Sequence, residues 1–160
     1  MLDITVICVG KLKEQYYKDA CAEYIKRLGA FCKITVTEFA EVRKPEEPSA
    51  AEITAALAKE AVSIRENVPR GAALMVLTPE GKMMSSPELA ATLEKTAAGG
   101  TSKICFLIGG SDGIDAALKS EARLRISMSP MTFPHHLARV MLLEQLYRAM
   151  NISAGGKYHK

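Results

Sequence analysis

The chain lacks any hydrophobic run long enough to span a bilayer, and its first residues, MLDITVICVGKLKEQ, put no basic segment ahead of the apolar one. A membrane helix takes about 20 consecutive apolar residues, and a secretory leader takes a positively charged start. Neither is signalled, so a cytoplasmic protein that does not enter a membrane is expected. Cysteine is scarce: Cys8, Cys21, Cys32 and Cys105 stand in apolar stretches without Cys-x-x-Cys spacing. That pattern excludes a recognisable disulfide framework or zinc motif and reads as reduced core thiols. The three histidines, His135, His136 and His159, have no zinc-motif spacing either, and no metal is expected. There is no internal repeat and no low-complexity segment, and 160 residues suffice for one domain, 1–160, with a self-sufficient core.

Several sequence motifs for enzyme chemistry are missing as well. The segment GGSDG at Gly109–Gly113 departs from the G-x-G-x-x-G dinucleotide fingerprint, and no acid follows about 20 residues on to hold a ribose. No G-x-x-x-x-G-K-[ST] phosphate loop occurs, and Ser85, Ser86, Ser111 and Ser129 lie near turns but outside any G-x-S-x-G elbow. The net charge of +3 is too small to argue for a polyanionic partner unless it is uneven. It is uneven: from Lys119 onward seven Lys or Arg face two acids, so the basic surplus sits at one end. A basic end can meet nucleic acid or be a solvated tail.

What the chain does contain is a fivefold alternation of strand and helix patterns. LDITVICV at residues 2–9 is a β-branched run of the kind covered by helices on both faces. Tyr17, Ala20, Cys21, Tyr24, Ile25 and Leu28 then share one helical face, with Gly29 at the C-terminal cap position and lysines opposite. KITVTEF at 33–39 alternates as a second strand. The polar, proline-rich EVRKPEEPSAAE reads as a mobile loop, after which Ser49 and Glu52 make a capping box for a helix over 50–67. A third strand is expected at 72–77, broken by TPEG; a helix opens at Ser86-Pro87 and closes at Gly99-Gly100; a fourth strand runs from 103 to 108. A helix over 114–124, a fifth strand at 125–128 and a long helix over 134–150 complete the chain. The pattern predicts an α/β fold, a mostly parallel sheet flanked by helices.

The last helix is apolar nearly all round, through Leu137, Val140, Met141, Leu142, Leu143, Leu146 and Met150. Such a helix needs packing on several sides, and a homodimer would provide the extra one. His135 and Arg139 share one edge, and Glu144 and Arg148 form an i,i+4 pair on the opposite side. Ligands of parallel sheets bind beyond the carboxyl ends of the strands. The loops to watch are LTPEGKMMSS, IGGSDG and MSPMTFPHH, whose backbone groups and few apolar side chains would suit an adenine-containing ligand.

VICVGKLKEQYY, LTPEGKMMSS, FLIGGSDG, SMSPMTFPHHLARVMLLEQLYRA and the terminal KYHK, in that order, resemble the RlmH family of bacterial ribosomal RNA methyltransferases along the whole chain. The resemblance implies the SPOUT-type α/β fold with a C-terminal trefoil knot, where pattern alone would suggest an unknotted chain. It implies a homodimer acting on large-subunit ribosomal RNA within the ribosome. It further implies methyl transfer from S-adenosylmethionine to N3 of a pseudouridine. The family's cofactor positions fall on Leu77, Gly109, Met128, Ser129, Pro130, Met131, Thr132 and Phe133. Pro130 lacks a backbone N–H that a ligand could use.

Methylating N3 requires loss of its proton, so a proton acceptor or an environment favouring the deprotonated base is needed. His159, Glu144 and His135 are the candidate acceptors, and Arg139 or Arg148 could stabilise charge developing on the base. Arg139, Tyr158 and His159 form the favoured catalytic set, with His135, Arg148, Lys157 and Lys160 on the RNA. The GGKYHK tail is too polar to order itself by its own packing, and is expected to order on RNA. Two rivals stand beside this reading. A non-enzymatic ribosomal-RNA-binding assembly factor would bind no S-adenosylmethionine, and a nucleotide-dependent oxidoreductase would bind a nicotinamide cofactor instead.

Overall fold

The computed structural model describes all 160 residues. Ten elements alternate along the chain: β1 (Leu2–Val9), α1 (Gln15–Leu28), β2 (Cys32–Phe39), α2 (Ala50–Asn67), β3 (Ala73–Met83), α3 (Ser86–Ala98), β4 (Lys103–Ile108), α4 (Ala116–Glu121), β5 (Leu124–Ser127) and α5 (His135–Ser153). The strands form one sheet in the order β2-β1-β4-β3-β5, every neighbouring pair parallel. Side chains alternate across it. Ile4, Val6 and Cys8 of β1 point with Met75, Phe106 and Ile108 to a core closed by α1, α3 and α5. Ile7 and Val9 point with Val76, Cys105 and Leu107 to a second core under α2 and α4. This explains the unbroken apolar runs, since a strand covered on both faces has no solvent side.

All four cysteines are buried free thiols, and burial pushes Cys8 and Cys105 up to about 12, so they behave as small core hydrophobes. No helix is long and apolar enough to cross a membrane. The capping box at Ser49 and Glu52 is present, with Glu52 N–H donating to Ser49 Oγ at 3.1 Å and Ser49 N–H donating to Glu52 at 3.2 Å.

Two of the expected elements have other bounds. β3 does not end at Leu77: residues 78–81 arch out as a bulge, and Lys82 and Met83 rejoin β5 opposite Ile126 and Ser127. Gly81 makes this feasible, because a Cβ there would sit 2.7 Å from the Arg125–Ile126 backbone. α4 is shorter than the pattern suggested, because Asp115 caps it by accepting from Leu118 N–H at 3.0 Å while Ile114 anchors in the core ahead of it. α5 packs on both α1 and α3 as well as β4, while Leu137, Val140 and Met141 on it remain only half-buried.

Candidate active site

The carboxyl ends of β3, β4 and β5 open into a cleft of about 810 Å³, within the range of small-molecule sites. Leu77 and Thr78 form one wall, Gly109 to Ile114 a second, and the loop after β5 a third that continues into His135 and Ala138 of α5. Leu77, Gly109, Met128, Ser129, Met131, Thr132 and Phe133 therefore come together from three separated segments. Pro130 stands apart: it is exposed and outside the lining.

The glycine loop is a tight turn in which Gly113 N–H donates to Gly110 C=O at 3.1 Å, followed by a left-handed Gly113 at φ +87°. Gly109 is small for a reason local to that turn. A Cβ on it would meet Gly113 O at 2.5 Å and Ile114 Cγ1 at 2.7 Å, so a larger residue would deform the loop before any ligand arrived. The loop after β5 is shaped by its serines, with Met131 N–H donating to Ser129 Oγ at 3.0 Å and Ser127 Oγ–H donating to Ser129 C=O at 3.2 Å.

A strap holds the glycine loop from outside. The proline-rich segment after β2, expected to be mobile, is tied down: Glu41 Oε1 accepts from Ser111 N–H at 2.5 Å and from Ser111 Oγ–H at 2.9 Å. Lys44 pairs with Asp112 at 2.5 Å, and Val42 N–H donates at 3.0 Å to Glu60, a buried carboxyl on α2 that desolvation pushes above its ordinary value. Sequence reasoning missed Glu41, Lys44 and Glu60 as contributors. Their bonding partners lie 70 residues away or on another element, and the only available signal was that the loop leaves the carboxyl end of a strand.

Arg139 does not present its charge to the cleft. Its side chain is 3% exposed and bonds Glu38 at 2.5 Å and Gly10 C=O at 2.8 Å, joining α5 to the ends of β1 and β2. Burial draws the Glu38 carboxyl upward, but the Arg139 hydrogen bond, the Leu12 N–H and the guanidinium charge outweigh it and hold the group below its ordinary value. One turn earlier, His135 lines the cleft with its ring against Gly10, where a Cβ would lie 2.6 Å from Cε1. Burial, then the neighbouring His136, lowers the His135 pKa and keeps the imidazole neutral at pH 7.

The tail, for which the sequence signalled no packing of its own, folds back onto α5. Gly155 at φ +70° turns the chain back, Gly156 N–H donates to Asn151 C=O at 2.9 Å, and Tyr158 N–H donates to Asn151 Oδ1 at 3.0 Å. Tyr158 packs edge-on to Tyr147 at 4.8 Å, lies under the Arg148 guanidinium at 4.6 Å, and donates its hydroxyl to Glu144 at 3.0 Å. Burial and the Glu144 hydrogen bond push its phenol up to about 12, so it acts as a donor rather than a base. Arg148 also bonds Glu144 and approaches His159 Nδ1 at 3.3 Å. Lys157 and Lys160 are exposed. None of these tail or Glu144–Arg148 groups lines the chain's own cleft.

The family described as "Predicted SPOUT methyltransferase" matches residues 2–159. Proteins named "Ribosomal RNA large subunit methyltransferase H" from Bacillus pumilus (strain SAFR-032) and Bifidobacterium adolescentis are 45% and 46% identical over 159 residues, covering 99% of this chain and 100% of each relative. Among solved structures, a probable methylase family protein from Haemophilus influenzae Rd KW20 superposes with TM-score 0.58 at 15% identity, over 100% of this chain and 72% of that one. TrmJ from Z. mobilis ZM4 does so with TM-score 0.54 at 15% identity, over 92% and 69%. The structural likenesses speak for the fold, and the near full-length family match settles membership: this chain belongs to the SPOUT methyltransferase family.

Proposed function

We propose that this protein transfers a methyl group from S-adenosylmethionine to N3 of a pseudouridine in large-subunit (23S) ribosomal RNA, as a homodimer and in the cytoplasm. The observation that carries the reading is the convergence of three distant loops on one cleft, in a chain 45% identical over its length to a protein named as a ribosomal RNA large subunit methyltransferase. The cleft suits such a cofactor. Leu77, Ile108, Ile114, Met128 and Phe133 supply apolar walls for an adenine ring, and the turn at Gly109–Gly113 and the Ser129 loop supply backbone polar groups. Leu77, Gly109, Met128, Ser129, Met131, Thr132 and Phe133 would hold it. When bound, the sulfonium group supplies an electrophilic methyl.

The chain's own residues must orient the base and take its proton. His135 is neutral, lines the cleft and is able to accept that proton. Arg139 acts by fixing α5, and with it His135, against the ends of β1 and β2. Glu144 is already engaged by Arg148, Gln145 and Tyr158, which leaves it poorly placed as the acceptor. Arg148 of α5, with Tyr158 and His159 of the tail folded onto it, forms a donor-rich face that a second copy would bring to the partner's cleft, since these groups do not line their own. The trefoil knot belongs to the same reading. β5 is an edge strand, yet the helix that follows it packs against α1, α3 and β4 near the middle of the sheet.

The decisive test is incorporation of labelled methyl groups into ribosomes, separated subunits and free RNA from a strain lacking the enzyme, with nucleoside analysis of the product. Appearance of N3-methylpseudouridine is the expected result. Failure to bind S-adenosylmethionine in calorimetry, with RNA binding intact, would instead support an assembly factor.

A further inference from the structure

A line of aromatic rings leads out of the cleft. His135, in the cleft wall, lies 3.9 Å from His136 between ring centroids; His136 lies 5.9 Å from Tyr17, and Tyr17 lies 4.6 Å from Tyr16. The line ends at the surface. Tyr16 is 66% exposed, the only aromatic side chain among the large exposed hydrophobics. The first turn of α1 follows the carboxyl end of β1, on the same edge of the sheet as the cleft mouth.

Around the surface end of this line the chain carries three lysines and two acids. Lys11, Lys13 and Lys18 are exposed and engage in none of the chain's ion pairs. Of the two acids, Asp19 accepts from the Gln15 amide at 2.8 Å and Glu14 turns one carboxylate oxygen inward, where it has no partner, so the lysines are the groups left reaching outward. An exposed aromatic costs solvation and gains nothing from folding when left in water, whereas an unpaired nucleobase stacks on such a ring with any sequence. Exposed ammonium groups within a few residues of it along the chain can meet the phosphates of the same strand.

We propose that Tyr16, Tyr17 and His136, flanked by Lys11, Lys13 and Lys18, form a stacking platform for unpaired nucleotides that adjoin the target base. The proposal rests on the methyltransferase reading and adds to it the path of the RNA strand: out of the cleft past His135 and along the start of α1. Bases splayed out of a helix are the form in which single-stranded RNA is commonly recognised. Tyr17 is half-buried and anchors the line, while Tyr16 supplies the open face.

The test compares Tyr16→Ala and Tyr16→Phe with the unaltered enzyme in methyl transfer, using ribosomes from the strain lacking the enzyme as the varied substrate. Because Tyr16 is largely exposed, Tyr16→Ala should leave the melting temperature and S-adenosylmethionine affinity unchanged. Loss of one base–aromatic stack predicts a roughly 5- to 150-fold fall in kcat/KM for RNA, expressed mainly in KM. Tyr16→Phe retains the ring and should remain close to the unaltered enzyme. An unchanged kcat/KM for Tyr16→Ala overturns the platform and leaves the methyltransferase reading standing. A shift of Tyr16→Ala to monomer in sedimentation also overturns it, assigning the patch to a second copy of the chain. Absence of methyl transfer by the unaltered enzyme would strike the underlying reading itself.

Discussion

Arg139 shows how one side chain reads differently in a sequence and in a fold. On a helical wheel it is a cation beside His135; in the structure it is a buried brace between α5, Glu38 and Gly10. Arg139→Met should therefore lower unfolding free energy by about 2 kcal/mol, at or below the low end for a broken buried pair because the Glu38 side chain is 36% exposed. Urea denaturation checks this, and a variant as stable as the parent would return Arg139 to a role in chemistry alone. His135 carries a pH signature. Its folded pKa lies below the ordinary 6.5, so above that pH the ring is neutral in both states. Below it the unfolded chain takes up the proton first, and the stability contribution is lost as pH falls through the folded value. His135→Gln should flatten this part of the curve, read as urea midpoints between about pH 7.5 and 5.

Among the elements, the strap at residues 40–49 has no regular secondary structure, yet it sets the position of the glycine loop through Glu41 and Lys44. Glu41→Ala removes the acceptor for two Ser111 donors and should weaken S-adenosylmethionine binding about tenfold, from loss of hydrogen bonds to a charged group. Glu41→Gln keeps a carbonyl acceptor in the same place and should retain most of the affinity. Calorimetry on both variants separates acceptor geometry from charge; equal affinity for Glu41→Ala and the parent would detach the strap from the cofactor site. This element was opaque to pattern reading. Proline and acidic residues mark a loop by their local backbone preferences, and nothing local encodes what the loop lies against. The helix over Ala50–Asn67, by contrast, was legible to the residue because its capping box and apolar face are both local signals.

At the scale of the molecule, tail and cleft lie apart on one chain, and this separation motivates the proposal of a site completed by a second copy. Deleting Lys157–Lys160 should preserve cofactor affinity, because those residues do not line the cleft, and should severely reduce methyl transfer. A mixed dimer discriminates the arrangements. With Gly109→Val in one subunit, which deforms its glycine loop, and the tail removed from the other, a trans arrangement places both defects in one site. About half the activity should survive, since one of two sites stays intact. A nearly inactive mixed dimer would show that each tail serves its own cleft, and sedimentation establishes that dimers were present.

The strands, the helices and their parallel arrangement follow from periodicity and caps, which depend on residues within a turn or two of one another. The rule that ligands of parallel sheets bind beyond the carboxyl ends of the strands then picked out the three loops that meet at the cleft, and resemblance along the chain placed the expected cofactor positions on them. The fold alone decided the rest. It turned Arg139 inward to Glu38, drew Glu41 across to Ser111, carried β3 through a bulge to Met83, and folded Tyr158 back onto Glu144. Each of these depends on a partner brought near by packing rather than by sequence position. A side chain's neighbours in space, and with them its charge state and its role, become defined only when the sheet has set which loops share an edge.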